Sequence, residues 1–141
     1  MFPRCNCNSL RQATRKVTQL YDRALAPTNL RATQYAMLVE IGRMGSSTLN
    51  PLAEAMVMDR ATLGHNLRPL EAAGYVKVAV GKDKRSREIT LTAAGRKILA
   101  EATPLWEGAQ KTFEGEIGAK DAAMLRSLLH NVSATEFGTV S

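Results

Sequence analysis

Residues Asn50 to Gly95 read NPLAEAMVMDRATLGHNLRPLEAAGYVKVAVGKDKRSREITLTAAG, and this stretch decides the fold. Its local signals predict, in order, a short helix, a turn, a second helix, a strand, a basic loop, a strand and a new helix cap. That order predicts a winged helix-turn-helix, whose second helix would enter the major groove of duplex DNA. We therefore expect a mainly α fold with a small β-hairpin wing, of the α+β class.

The second helix of this stretch carries the candidate DNA-recognition residues. Asp59 is its expected N-cap, and the spacing of Leu63, Leu67 and Leu70 predicts a buried stripe. A small residue such as Gly64 would let the helix approach the floor of the groove. The residues expected to reach bases or phosphates are Arg60, Ala61, Thr62, His65, Asn66 and Arg68.

The loop 81–87 joins two strands predicted over 75–80 and 88–91, and it is strongly charged. Its cations suit phosphate contacts, and an arginine at the tip of a wing can enter the narrower minor groove. A solvated charged loop is the alternative, but the position directly after a helix-turn-helix favours DNA contact. The candidate wing residues are Lys82, Asp83, Lys84, Arg85 and Arg87.

Two scaffold helices precede this stretch. Apolar residues recur on one helical face between positions 10 and 25, and Pro27 is expected to end that helix. The next helix is predicted to begin with Thr33 as N-cap and to end in the Gly- and Ser-rich stretch 42–47. Asn50 before Pro51 predicts the N-cap and first turn of the third helix. The second helix is expected to bury Tyr35, Met37, Leu38 and Ile41.

Two further helices are predicted after the wing. Thr92 is the expected cap of a long helix that Pro104 should kink, and the last helix has Asp121 in its first turn. A winged module alone offers no obvious place to bury the apolar stripes of these helices and of the first helix. We therefore expect one domain, 1–141, that forms a homodimer through helices in 8–30 and 93–141, with the winged DNA-binding lobe at 31–92. An intramolecular helical cap on a monomer is the alternative.

Composition limits the other functions. The 141 residues contain 19 Lys and Arg against 13 Asp and Glu, and this excess of cations favours polyanionic partners. With no apolar run of bilayer length, we expect a soluble, cytoplasmic protein. The two cysteines and two histidines lack the paired spacing of zinc modules, and no phosphate-binding loop or nucleophile motif is present. We expect no enzymatic activity, metal or cofactor.

The runs DRATLGHNLRPLEAAGYV (59–76) and DKRSREITLTAAGR (83–96) resemble the MarR family of bacterial winged-helix transcriptional regulators. The Asp-x-Arg wing at Asp83 and Arg85 and the Leu-Thr-x-x-Gly sequence that ends at Gly95 carry the resemblance, which extends to LYDRALAPTNLRATQYAML at 20–38. It implies the same homodimer, with Arg85 reading the minor groove while Asp83 holds the wing. It also implies that Arg60, Ala61, Thr62 and His65 face bases, and that Asn66 and Arg68 lie near the DNA backbone. The operator should be an imperfect palindrome with half-sites about 10 base pairs apart.

The resemblance also implies a repressor that a small, often aromatic, ligand releases from DNA. The ligand would bind in a cleft between the dimerisation helices and the DNA-binding lobe. Candidates for that cleft are Tyr21, Tyr35, Met37, Met44 and Trp106, although aromatic and Met side chains at helical spacing often simply pack in a core.

A thiol-based redox sensor is an alternative. Cys5 and Cys7 lie close to Arg4 and Arg11, whose charges could favour the thiolate. With one intervening residue, a bond between these two cysteines would be strained, so a disulfide to a partner chain or to a small thiol is the more plausible oxidised form. Two unreactive thiols in a frayed terminus are the competing interpretation.

Two other binding functions fit a winged helix. The domain could be a protein-docking module that does not contact DNA. It could also be an architectural DNA binder, whose affinity would fall steeply with salt and vary little with sequence.

Overall fold

The computed structural model describes residues 4–138. In this range the chain forms six α-helices, a short 3₁₀ helix and one antiparallel hairpin, confirming the predicted mainly α fold with a β-hairpin wing. The elements are α1 (Asn6–Leu25), a 3₁₀ turn (Ala26–Thr28), α2 (Ala32–Met44), α3 (Leu49–Met56), α4 (Arg60–Ala72), β1 (Val76–Val80), β2 (Arg87–Leu91), α5 (Ala93–Ile117) and α6 (Ala119–Ser133).

The core lies where α2, α3 and α4 pack together with the base of the hairpin and α5. The predicted stripe of Leu63, Leu67 and Leu70 is buried, as are the four residues expected from α2. The largest side chains that are fully buried are Leu25, Met37, Leu38, Ile41, Leu52, Leu63, Leu70 and Ile89. The helix-turn-helix therefore rests on a common apolar base, which fixes the orientation of α4.

Two of the predicted N-caps are wrong by two residues. Helix α2 begins at Ala32 rather than after Thr33, because the carboxylate of Asp22 in α1 accepts a hydrogen bond from the Ala32 N–H at 2.7 Å. Helix α3 begins at Leu49 with Thr48 as N-cap, which places Asn50 inside the helix. Pro51 lies in the first turn, where its missing N–H leaves no helical hydrogen bond unmade.

Helix α4 ends at Ala72, and Ala73 is its C-cap. Gly74, predicted as the cap, occupies the next position with φ +82°, a conformation that favours glycine. The Tyr75 N–H then donates to the Leu70 carbonyl at 2.9 Å, which closes the helix end. Pro69 lies within the helix, as the sequence indicates.

The hairpin pairs Val76 with Leu91 and Val80 with Arg87 in antiparallel register. A third segment joins it, because Ser47 exchanges backbone hydrogen bonds with Ile89 at 3.1 and 2.7 Å. No local sequence pattern predicts this bridge, which joins the loop before α3 to the wing.

Helix α1 packs against α5, and α6 also packs against α5. Thr92 is the N-cap of α5 as predicted, and α5 continues without interruption through Pro104. Asp121 lies in the first turn of α6. The first three and last three positions of the expected domain, 1–3 and 139–141, lie outside the described residues. No helix in the range 4–138 has the length and apolar composition needed to cross a membrane.

Candidate nucleic-acid interface

The start of α4 is fixed by its N-cap. The Asp59 carboxylate accepts a hydrogen bond from the Thr62 N–H at 2.7 Å, as the sequence predicts. Hydrogen bonds from Thr62 hold the pKa of Asp59 below the ordinary value for an aspartate, so this cap is ionised at neutral pH. The start of α4 is therefore defined, and burial of Leu63, Leu67 and Leu70 sets which of its side chains face outward.

The outward face of α4 carries most of the predicted recognition residues. Five of them are exposed, namely Arg60, Ala61, Thr62, His65 and Arg68. Asn66 is half-buried, and its side-chain amide donates to the Thr62 carbonyl at 2.8 Å. Asn66 thus uses one of its two side-chain N–H donors within the helix. The amide oxygen and the other donor remain for a partner.

The tip of the wing is held by Asp83. Its carboxylate accepts a hydrogen bond from the Arg85 N–H at 3.0 Å, and its backbone carbonyl accepts one from the Ser86 hydroxyl at 2.8 Å. The Gly81 N–H donates to the Ser86 carbonyl at 3.1 Å and closes the hairpin. The backbone that carries Arg85 is therefore ordered by local hydrogen bonds, while its guanidinium extends from an exposed residue.

The cations of α4 and the wing have no acidic partner within the described residues. The ion pairs found between residues 4 and 138 are Arg31 with Asp22, Arg43 with Glu40, and Arg126 with Glu114. Five exposed cations therefore remain available. Arg60 and Arg68 lie on α4, where the exposed His65 falls between them in sequence. The others, on the wing, are Lys82, Lys84 and Arg85. Arg87 is exposed as well, and its guanidinium donates to the carbonyls of Lys84 and Ser86 at 3.4 and 3.3 Å.

The Leu-Thr-x-x-Gly sequence joins three elements at the base of the wing. The Thr92 hydroxyl donates to the Gly74 carbonyl at 2.5 Å and accepts from the Gly95 N–H at 3.0 Å. The Thr92 N–H donates to the Tyr75 carbonyl at 3.0 Å. One threonine thus connects the end of α4, the start of β1 and the first turn of α5, so the recognition helix and wing are anchored to the long helix.

A cleft of about 520 Å³ opens between α1, α2, α3 and α5, and it brings together Tyr21, Tyr35 and Trp106. The Tyr35 and Trp106 rings stack with centroids 5.9 Å apart, and the Tyr35 hydroxyl lies 3.1 Å from the Thr103 hydroxyl. The Tyr21 hydroxyl donates to the Gln110 side chain. Burial, followed by the charge of Glu114, raises the pKa of Tyr21, so its phenol is neutral at physiological pH.

Two predicted cleft residues lie elsewhere. Met37 is fully buried in the core, and Met44 packs against that core near the end of α2. Sequence periodicity placed Met37 on an apolar face without showing which side of α2 borders the cleft, and it did not place Met44.

A second cleft of about 590 Å³ lies between α2, β2 and α5 and shares Tyr35 and Val39 with the first. Arg43 and Arg96 line it, and sequence reasoning missed both. Arg96 follows the Thr92 cap by one helical turn, and this spacing was the available signal.

Cys5 and Cys7 are exposed and unbonded. The terminus is not frayed there, because α1 begins at Asn6 and Cys5 is its N-cap, with the sulfur accepting from the Asn8 N–H at 3.4 Å. Among the described residues, no three Cys, His, Asp or Glu side chains cluster closely enough to hold a metal ion.

Comparison with known proteins agrees with this geometry. The chain is 30% identical over 129 residues to the transcriptional regulator HosA of Escherichia coli O127:H6, which covers 91% of this chain and 94% of HosA. It is 36% identical to the Mycobacterium tuberculosis transcriptional regulator MosR, solved in complex with DNA, with a TM-score of 0.77 and coverage of 92% of this chain and 98% of MosR. No protein-family model matches the chain.

The fold is also similar to that of BpsR from Bordetella bronchiseptica, with a TM-score of 0.85, 23% identity and coverage of 96% and 98% of the two chains. The 6-hydroxynicotinic acid regulates DNA binding by BpsR. Fold and relatives together define a winged helix-turn-helix transcriptional regulator. The chain belongs to the MarR family.

Proposed function

We propose that this protein binds duplex DNA sequence-specifically through α4 and the wing. The observation that carries the proposal is the set of exposed cations on α4 and the wing, which have no acidic partners in the described chain. Arg60 at the start of α4 can donate two hydrogen bonds to guanine, and Arg85 at the wing tip can enter the minor groove. The DNA complex of MosR, a relative by fold and sequence, supports this assignment.

The binding unit is a homodimer formed through α1, α5 and α6. Helix α6 leaves a row of apolar side chains exposed, and Ala122 is its buried residue. This row consists of Met124, Leu125, Leu128, Leu129 and Val132, with exposed fractions between 38% and 57%. A monomer would keep that apolar surface in water, whereas a two-fold partner would bury it. Two α4 helices would then address the half-sites of a palindromic operator.

The protein is a repressor that an aromatic ligand releases from DNA. The stacked pair of Tyr35 and Trp106 gives the first cleft an aromatic wall, which suits a planar ring. The Tyr21 and Tyr35 hydroxyls provide polar groups that can orient the ligand. Because Tyr35 also borders the second cleft beside β2, a ligand that moves this ring can alter the packing under the wing.

The substitution Arg85→Ala tests DNA reading by the wing. Loss of the wing guanidinium should weaken operator binding by about 1–3 kcal/mol and reduce preference for sequences with a narrow minor groove. Arg23→Ala is the matched control, because Arg23 is an exposed arginine on α1. Fluorescence anisotropy on an operator duplex measures both variants. If Arg85→Ala binds DNA as wild type does while the control is also unchanged, the wing does not read DNA, and a protein-docking role becomes the better account.

Control by thiol oxidation is a second candidate, favoured by the exposure of both cysteines at the start of α1. Hydrogen peroxide would oxidise the thiolate of Cys5 or Cys7 to a sulfenic acid and be reduced to water. Condensation of the sulfenic acid with a thiol of a partner chain or with a small thiol would release a second water and leave a bulky disulfide beside the proposed dimerisation helices. The test is a Cys5→Ser, Cys7→Ser double variant. If the double variant still loses DNA under peroxide as wild type does, the cysteines have no part in the response.

A further inference from the structure

The turn between α3 and α4 holds a valine in a conformation that disfavours valine. Val57 has φ +52° and ψ +49°, in the left-handed region. A β-branched residue is a rare outlier there, and glycine is the usual occupant of this position after a helix. The conformation is imposed by the helix end, since the Val57 N–H donates to the Glu54 carbonyl at 3.1 Å and the Met58 N–H to the Ala53 carbonyl at 2.9 Å.

Burial of the side chain does not compensate for this strain. The side chain of Val57 is 69% exposed, whereas the next residue, Met58, packs against the core. Val57 thus contributes little buried apolar surface and leaves its two methyl groups largely in water. Residues with a strained backbone are often found at functional sites, where their side chains contact a binding partner.

The position of Val57 indicates which partner this is. Val57 precedes the N-cap Asp59 by two residues, and the exposed Arg60 and Ala61 follow in the first turn of α4. Under the proposed function, on which this inference rests, that turn of α4 lies against the major groove. The apolar group that a base edge offers there is the thymine C5-methyl.

We propose that Val57 is a specificity-determining residue that makes an apolar contact with DNA beside the N-terminus of α4. Its methyl groups lie against a thymine methyl, and the protein accepts backbone strain at this turn in order to keep them there. A substitution at position 57 that raises the stability of the fold should therefore lower the affinity for DNA, and both quantities can be measured.

Two substitutions separate strain from contact. Val57→Gly relieves the strain and removes the methyl groups, so the melting temperature should rise by about 2–4 °C. Its operator affinity should fall about five- to tenfold. Val57→Thr keeps the β-branched shape and the strain but replaces one methyl with a hydroxyl. Its melting temperature should stay within about 1 °C of wild type while its affinity falls at least about threefold.

Asn29→Gly is the matched control. Asn29 is the other described non-glycine residue with positive φ, at +60°, and it lies between α1 and α2. This variant should bind the operator as wild type does. An operator with deoxyuridine at each thymidine tests this contact: the loss of affinity should be larger for wild type than for Val57→Gly, and equal losses would show that Val57 does not touch a thymine methyl.

Several results would overturn the proposal. If Val57→Gly melts below wild type, the valine is kept for stability. If Val57→Thr binds as wild type does, any loss in the glycine variant reflects a looser turn. Equal operator binding by wild type, Val57→Gly and Val57→Thr would show that Val57 lies outside the interface, and would leave the proposed function intact. Failure of wild type itself to prefer any duplex would instead count against the proposed function.

Discussion

The backbone of Gly95 lies so close to the carbonyl oxygen of Tyr75 that a Cβ added to Gly95 would overlap that oxygen. Tyr75 starts the segment leading into the wing, and Gly95 lies in the first turn of the long helix α5. The same carbonyl accepts the Thr92 N–H at 3.0 Å. The wing and the proposed dimerisation helices therefore meet at a close backbone contact, which joins the proposed dimer interface to the proposed DNA-binding surface.

Gly95→Ala should destabilise the protein by about 1–3 kcal/mol, because the added methyl must displace backbone rather than a flexible side chain. Gly108→Ala is the control within α5: a Cβ there meets nothing within 4 Å, so alanine should stabilise the helix by about 0.5–1 kcal/mol. Urea unfolding measures both variants. Equal stability of Gly95→Ala and wild type would show that α5 does not pack this closely on the wing.

Asp59→Asn should lower stability in a pH-dependent way. The folded pKa of Asp59 lies below its unfolded value, so the ionised carboxylate stabilises the fold at neutral pH, and this contribution is lost as the pH falls through the folded pKa. The melting temperature of the variant should be lower than that of wild type near pH 7. The gap should close in the acid range below about pH 4. A gap that is independent of pH would show that the charge of Asp59 has no part in capping α4.

Leu128→Glu should disrupt the proposed homodimer, because two buried glutamates would face each other across a two-fold interface. Leu128 is 57% exposed in the single chain, so the monomer fold should tolerate the change. His130→Glu is the control, since His130 is exposed and lies about 200° around α6 from Leu128. Sedimentation equilibrium should give a dimer dissociation constant raised at least about tenfold for Leu128→Glu alone. A monomeric wild type would refute the dimer.

Trp106 is the one tryptophan in the sequence and lines the first cleft, so tryptophan emission reports on that cleft. Aromatic carboxylic acids that bind there should quench this emission and release the operator over the same concentration range. Tyr35→Leu, which removes the stacking partner of Trp106, should weaken both responses. A panel of such acids that alters neither fluorescence nor DNA binding would count against ligand control through this cleft.

The winged helix could be predicted because its signals are local. Asp59 is a good N-cap by residue type alone, and Leu63, Leu67 and Leu70 define a buried stripe by spacing alone. The starts of α2 and α3 could not be placed in this way. The Ala32 N–H in the first turn of α2 is bound by Asp22, ten residues away, and no local pattern predicts that contact.

The same distinction between local signals and long-range packing applies to the candidate site. The exposed faces of α4 and the wing follow from helical and strand periods, so their residues were found in sequence. The two clefts depend on how α1, α2, α3, α5 and β2 pack. Sequence periodicity could therefore not show that Met37 and Met44 lie away from the first cleft, or that Arg43 and Arg96 line the second. The Ser47 to Ile89 bridge was missed for the same reason, because it joins segments 42 residues apart.

The most direct test of the central claim is selection of bound duplexes from a random pool, followed by titration of the selected duplex and a scrambled one at two salt concentrations. Specific binding predicts an imperfect palindrome with half-sites about 10 base pairs apart. The selected duplex should bind on the order of a thousandfold more tightly than the scramble at both salt concentrations. Equal affinity for the two duplexes, falling steeply with salt, would contradict sequence-specific recognition and leave only binding to the DNA backbone.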